Sequence, residues 1–171
     1  MTMIAQVRQF IRQHNLARAD TRVVAAVSGG SDSTALAHIL HELGAAGELR
    51  LVGLAHFNHQ LRASAANDER YATDMAAAIG VPLRVEREDV AARARRDRRS
   101  IEDAARTARH AFFGRARDHF GADTVALGHT RDDQAETVLL RLIRGAGPRG
   151  LAGMYPRKDF IIRPQIGRAH V

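Results

Sequence analysis

The 171-residue chain contains no cysteine. That absence excludes a disulfide framework, a thiolate nucleophile and any zinc site built on cysteine sulfur. No apolar run approaches the roughly 20 residues that a membrane-spanning helix needs, and the opening segment from Met1 to Arg12 lacks a long apolar core. A soluble, cytoplasmic chain with no membrane partner is the expectation. Lysine is nearly absent as well: apart from Lys158, every side-chain cation other than histidine is an arginine. The ATPase loop in which lysine and a hydroxyl residue follow glycine is therefore missing, because no lysine follows any glycine-rich turn here. There is no internal repeat and no low-complexity tract.

What remains is basic and globular. Lys+Arg is 26 against Asp+Glu 19, a net charge of +7 with histidine neutral. The planar arginine fork suits phosphate, so a polyanionic partner such as nucleic acid fits this charge, and a solvated arginine-rich surface is the alternative. With 45% hydrophobic residues, the chain can bury one core, and a single domain over 1–171 is expected.

The densest information lies in Ser28-Gly29-Gly30-Ser31-Asp32-Ser33. An apolar run, Val23 to Val27, leads in, and the helix-compatible Thr34 to Leu40 leads out. This pattern predicts a strand, a tight turn and a helix N-terminus. Backbone N–H groups of such a turn, with those of the first helical turn, form an anion site for phosphate. Gly29 and Gly30 allow close backbone approach, and Ser28, Ser31 and Ser33 add hydroxyls. Asp32 would repel phosphate unless a cation lay between them, which suggests Mg²⁺ shared with phosphate oxygens, or else a helix-capping role. Without the lysine, the turn is expected to grip pyrophosphate rather than activate a terminal phosphate.

Strand-like and helix-like segments alternate along the chain. Strands are expected at Leu49 to His56, Val81 to Glu86, Thr124 to Gly128 and, more weakly, Asp159 to Arg163. Helices are expected at Ala65 to Ile79, Ser100 to Phe120 and Asp132 to Arg144. This alternation predicts an α/β fold with a doubly wound parallel sheet and ligands beyond the strand C-termini. Val90 to Arg99 holds five arginines in ten residues and reads as a mobile basic loop or a solvated helix face. The glycine-rich stretch Gly145 to Gly153 reads as a linking or covering loop.

Three further groups carry polar chemistry. His56 and Asn58 belong to a segment expected to form a nucleotide-facing loop after the second strand; His56 and His59 lack a third ligand for zinc. Arg106 and Arg109 lie one turn apart on a helix face, where they can clamp phosphate or pair with Glu102 and Asp103. His129-Thr130-Arg131-Asp132-Asp133-Gln134-Ala135-Glu136 follows the fourth strand, with Asp132 and Glu136 on one helix face. These acids can complete a metal site, hold a substrate ammonium group or favour the helix dipole.

Together with Gly150 to Met154 and Ile162-Arg163-Pro164, these motifs resemble the tRNA(Ile)-lysidine synthetase family from about residue 20 to 164. The first motif is shared by the wider PP-loop ATP pyrophosphatases, and the one at 128–145 is far more specific. The resemblance implies an adenine nucleotide alpha hydrolase-like fold and a ligase that converts the wobble cytidine of tRNA(Ile) to lysidine, using ATP, Mg²⁺ and L-lysine. It implies ATP contacts from Ser28 to Ser33, His56 and Asn58, and Mg²⁺ on Asp32 and Asp133. It assigns phosphate or adenylate charge to Arg106 and Arg109, lysine or metal to Asp132, Asp133 and Glu136, and ATP or the reacting base to His129. A homodimer is compatible with this reading. Family members carry further C-terminal domains, so a truncated chain is expected; a tRNA-thiolating PP-loop enzyme and a noncatalytic nucleotide- or RNA-binding fragment are the alternatives.

Overall fold

A computed structural model describes residues 2–61, 65–128 and 155–164. Helix α1, Met3–Gln13, precedes β1, Arg22–Ala26, α2, Ser31–Ala45, and β2, Arg50–Asn58. Then follow α3, Ala65–Ile79, β3, Leu83–Arg87, α4, Val90–Asp97, α5, Ile101–His119, and β4, Thr124–Ala126. Two short strands, β5, Arg157–Lys158, and β6, Ile161–Ile162, complete the described part.

The strands form one sheet in the order β3-β2-β1-β4-β6-β5. Every pairing is parallel except β5 with β6. Alternation along β1 divides the core in two. Val23, Ala25 and Val27 pack under α1, α2 and α3 against Leu36, Leu40 and Met75. Val24 and Ala26 face the other way, into a layer with Phe112, Phe113 and Ala108 of α5 and Val90 of α4. Because β1 is covered on both faces, it reads as a continuous apolar run rather than an alternating one. The expected doubly wound α/β sheet is what the structure has.

The chain winds outward from β1 through β2 to β3, then returns over α4 and α5 to β4 on the opposite side of β1. The topological switch point therefore lies between the C-terminal ends of β1 and β4. In such sheets this crevice is where ligands bind.

Helix α3 begins and ends as predicted, with Gly80 at φ +80° just past its end. Helix α5 is capped by Ser100, whose hydroxyl accepts the Asp103 N–H at 3.2 Å. Helix α1 has no counterpart among the expected elements; Thr2 caps it, and Val7 and Ile11 bury its inner stripe. Of the two readings of the arginine-rich stretch, the solvated helix face holds: it is helix α4, capped by Asp89 and anchored by Val90 and Ala94. Two expected strands need correction. The fifth strand is a hairpin, because Asp159 at φ +55° turns the chain between β5 and β6. Strand β2 runs past His56 to Asn58, since pairing with β3 continues from Leu54↔Leu83 to Asn58↔Arg87. The helix expected over 132–144 and the loop over 145–153 lie outside the described residues.

Candidate functional site

Strand β1 ends in a pinned carbonyl. Val27 donates its N–H to the Ala55 carbonyl at 2.9 Å, and the Val27 carbonyl lies 2.8 Å from His56 Nδ1. The chain then turns at Gly29, whose φ of +89° is costly for any residue with a Cβ. Gly30 occupies the N-cap of α2, and no side chain caps the helix. Its first-turn N–H groups, with the positive end of the helix dipole, therefore open at the switch point and can receive an anion.

The serines divide the work. Ser33 Oγ accepts the Ser28 N–H at 3.1 Å and donates to the Gly30 carbonyl at 3.0 Å, while Ser28 Oγ lies 3.1 Å from it. With one proton per hydroxyl, this set satisfies Ser33, which is buried, and ties Ser28 to it. These two shape the turn. Ser31, exposed at the helix start, is the loop hydroxyl outside that set.

Gly128, just past β4, closes the crevice from the other side. A Cβ there would meet backbone atoms of Asp32 and Ser33 at 3.0 Å. Only glycine lets the two strand-end segments come this close.

Two carboxylates flank the turn. Asp32 sits half-buried in the first turn of α2. Asp68, from the first turn of α3, packs over Gly29, where an added Cβ would lie 2.8 Å from its Oδ1. Sequence reasoning missed Asp68. Its signal was available: it occupies, after β2, a place like that of Asp32 after β1. Mg²⁺ takes one or two protein carboxylates together with phosphate oxygens and water, and a carboxylate at the edge of a phosphate turn fits that donor set. Among the described residues, no group of three or more His, Asp or Glu stands at metal-binding spacing.

The end of β2 differs from the expected nucleotide-facing loop. His56 and Asn58 are buried within the strand. Asn58 Oδ1 accepts the Gln60 N–H at 2.9 Å, and its amide donates to Glu69 at 3.3 Å and toward the Ala65 carbonyl at 3.5 Å. These bonds employ its amide within the fold, so Asn58 braces the β2–α3 connection. His56 Nε2 is buried and has no hydrogen-bond partner. Glu69 also pairs with Arg87 of β3, and that guanidinium holds its carboxyl below the usual range, against the opposing effect of burial.

Arg106 and Arg109 separate. Arg106 is exposed and ion-paired with Glu102 at 3.2 Å, one helical turn back. Arg109 makes no ion pair among the described residues; surrounding protein, and then the charge of Arg106, pull its guanidinium below the ordinary value. The residue is nevertheless exposed to solvent. His129, Asp132, Asp133 and Glu136 lie outside the described residues.

The chain matches the PP-loop domain family over residues 1–170. It is 48% identical over 156 residues to the tRNA(Ile)-lysidine synthase of Geobacter sulfurreducens, covering 90% of this chain and 32% of that protein. It is 42% identical over 152 residues to the tRNA(Ile)-lysidine synthase of Dehalococcoides mccartyi, covering 88% of this chain and 32% of that protein. The chain thus spans about a third of the length of these curated relatives. Among solved structures, the U34-tRNA thiolase NcsA of Methanococcus maripaludis, with its 4Fe-4S cluster, superposes with a TM-score of 0.71 at 17% identity. That likeness covers 95% of this chain and 57% of the thiolase, and it is one of fold.

Proposed function

We propose, from the premise that this chain belongs to the PP-loop domain family, that it is the ATP-activating part of an enzyme that ligates lysine to the wobble cytidine of tRNA(Ile). The observation that carries this reading is the uncapped start of α2 behind the Gly29 turn, closed by Gly128 at the switch point. The similarity to lysidine synthases supports this choice of substrates.

In this reaction the cytidine carbonyl oxygen attacks the α-phosphate of ATP and pyrophosphate leaves. The amine of lysine then displaces AMP at the activated ring carbon. The first-turn N–H groups of α2 and the Ser31 hydroxyl hold the pyrophosphate, so that charge gained by the leaving group meets donors already oriented. Ser28 and Ser33 keep that turn in shape. Asp32, with Asp133 as its candidate partner, would hold Mg²⁺, which when bound neutralises charge on the phosphate oxygens. Arg109 supplies a cation for adenylate charge. Asp132 and Glu136 are assigned to the lysine ammonium, and His129 to ATP or the reacting base. With tRNA as substrate, the enzyme acts in the cytoplasm.

The test combines tRNA-dependent ATP–pyrophosphate exchange with mass spectrometry of the tRNA after incubation with lysine and Mg²⁺. The expected product is a cytidine heavier by one lysine less one water. A sulfur-containing nucleoside would assign the chain to thiolation, and ATP binding without exchange would make it a nucleotide-binding module.

A further inference from the structure

Most arginines of the described residues that are withdrawn from water face a carboxylate. Arg84 pairs with Glu86 at 2.8 Å and Arg93 with Glu88 at 2.9 Å. Arg163 does not. Its Nη1 donates to the Tyr155 carbonyl at 3.2 Å, and its Nε is buried with no hydrogen-bond partner among the described residues. A buried donor left unused costs on the order of 1–3 kcal/mol, so an acceptor brought by a ligand would be favoured there.

The position of Arg163 says which face that ligand approaches. It follows β6 directly, and Leu127 donates to the Ile162 carbonyl at 3.0 Å, so Arg163 stands beside the end of β4. Ile161 packs in the α5 layer and Ile162 in the opposite one, so strand alternation directs Arg163 toward α5. Helix α5 lies against this strand, with His110 and Phe160 rings 5.3 Å apart. Arg109 is on that helix, one residue before His110 and one turn before Phe113, which shares the α5 layer with Ile161. Burial first, and then the charge of Arg109, lower the Arg163 guanidinium from its ordinary value. Two neighbouring like charges, neither with a carboxylate among the described residues, are the converse of a structural ion pair.

We propose that Arg109 and Arg163 form a second phosphate seat, which takes a backbone phosphodiester of the RNA substrate. The seat is reached from the α5 layer of the sheet, beyond β4, and shares Arg109 with the proposed nucleotide site. Helix α4, which packs beside α5, carries exposed Arg95 and ends on exposed Arg98, for which the described residues supply no carboxylate, so the layer that holds the seat is broadly cationic. A polyanionic strand, longer than one nucleotide, matches that spread of charge. Arg109 is then positioned between the two sites. This inference rests on RNA being the substrate class.

The experiment measures, on the full chain, binding of ATP with Mg²⁺ and of a synthetic anticodon stem-loop RNA across a range of salt. Arg163→Gln is expected to weaken RNA binding about tenfold and to flatten the plot of log affinity against log salt by about one unit, with ATP affinity unchanged. Arg163→Lys keeps the charge but loses the fork, and is expected to lose about threefold with the wild-type slope. A loss of ATP affinity with unchanged RNA binding would give the seat to the nucleotide and overturn the proposal. Unchanged binding of both ligands by Arg163→Gln would overturn it too. If that variant fails to fold, wild-type RNA affinity in Arg163→Lys does the same. Wild-type protein that binds ATP but not RNA overturns the seat alone, and protein that binds neither ligand overturns the proposed function with it.

Discussion

The ends of β1 and β2 lie side by side at the C-terminal end of the parallel strands, and each leads into a helix with an acid in its first turn, yet they are built in opposite ways. At β1 the chain is Ser and Gly, the helix start is uncapped, and Gly128 clears the space above it. At β2, Asn58, Glu69 and Arg87 close on one another. An open end can receive a ligand; a closed end holds the open one in place, through His56 on the Val27 carbonyl and Asp68 on Gly29. The proposed function depends on leaving donors unpaired at the end of β1, while Asn58, Glu69 and Arg87 pair with one another at the end of β2.

The most severe way to break this contrast is to fill the open end. Gly128→Ala places a Cβ 3.0 Å from backbone of Asp32 and Ser33, which cannot yield as a flexible side chain would. The expected cost is about 1–3 kcal/mol of stability with ATP affinity lost by more than a hundredfold, read by thermal melting and calorimetry. Normal ATP binding would show that the β4 end does not frame the site.

Asp32→Asn changes charge without changing shape. Mg²⁺-dependent ATP binding is expected to fall at least tenfold, while the melting temperature stays near that of the wild type. Equal affinity with and without the carboxylate would remove Asp32 from the metal role and leave it as a helix-dipole residue.

Asn58→Ala should act the other way round. It leaves the Gln60 N–H without its acceptor and Glu69 without one of its donors, for an expected loss of about 1–2 kcal/mol. ATP affinity is expected to fall only a few-fold, because the effect arrives through the loop. A large loss of affinity with normal stability would make Asn58 a direct ligand contact.

The smallest effect concerns pH. Arg87 holds the Glu69 carboxyl below the usual glutamate range, so this pair contributes its stability above the unfolded value of about 4.3 and loses it as pH falls through the folded value. The pair is partly solvated, and the expected shift is a few degrees at most. Glu69→Gln should flatten the acid limb of a plot of melting temperature against pH. An unaltered limb would place acid sensitivity in other carboxylates, Glu86 between Arg84 and Arg115 foremost.

What the residue order by itself determined is local: a β-branched run stopping at a glycine pair makes a strand, a tight turn and an uncapped helix start, and the recurrence of strand and helix makes a parallel sheet. Helix α3 and the Ser100 cap of α5 could be read directly because their end signals are short-range. Tertiary structure decided the rest. Strand β2 continues through His56 and Asn58 because β3 supplies partners that no local pattern announces. Arg106 and Arg109, alike in sequence, part because one turn of helix brings Glu102 to the first while the second has no carboxylate partner among the described residues. Asp68 over Gly29 and Arg163 beside α5 are contacts between residues far apart in the chain. Periodicity can report which face a residue occupies; only the order of the strands places one functional face against another.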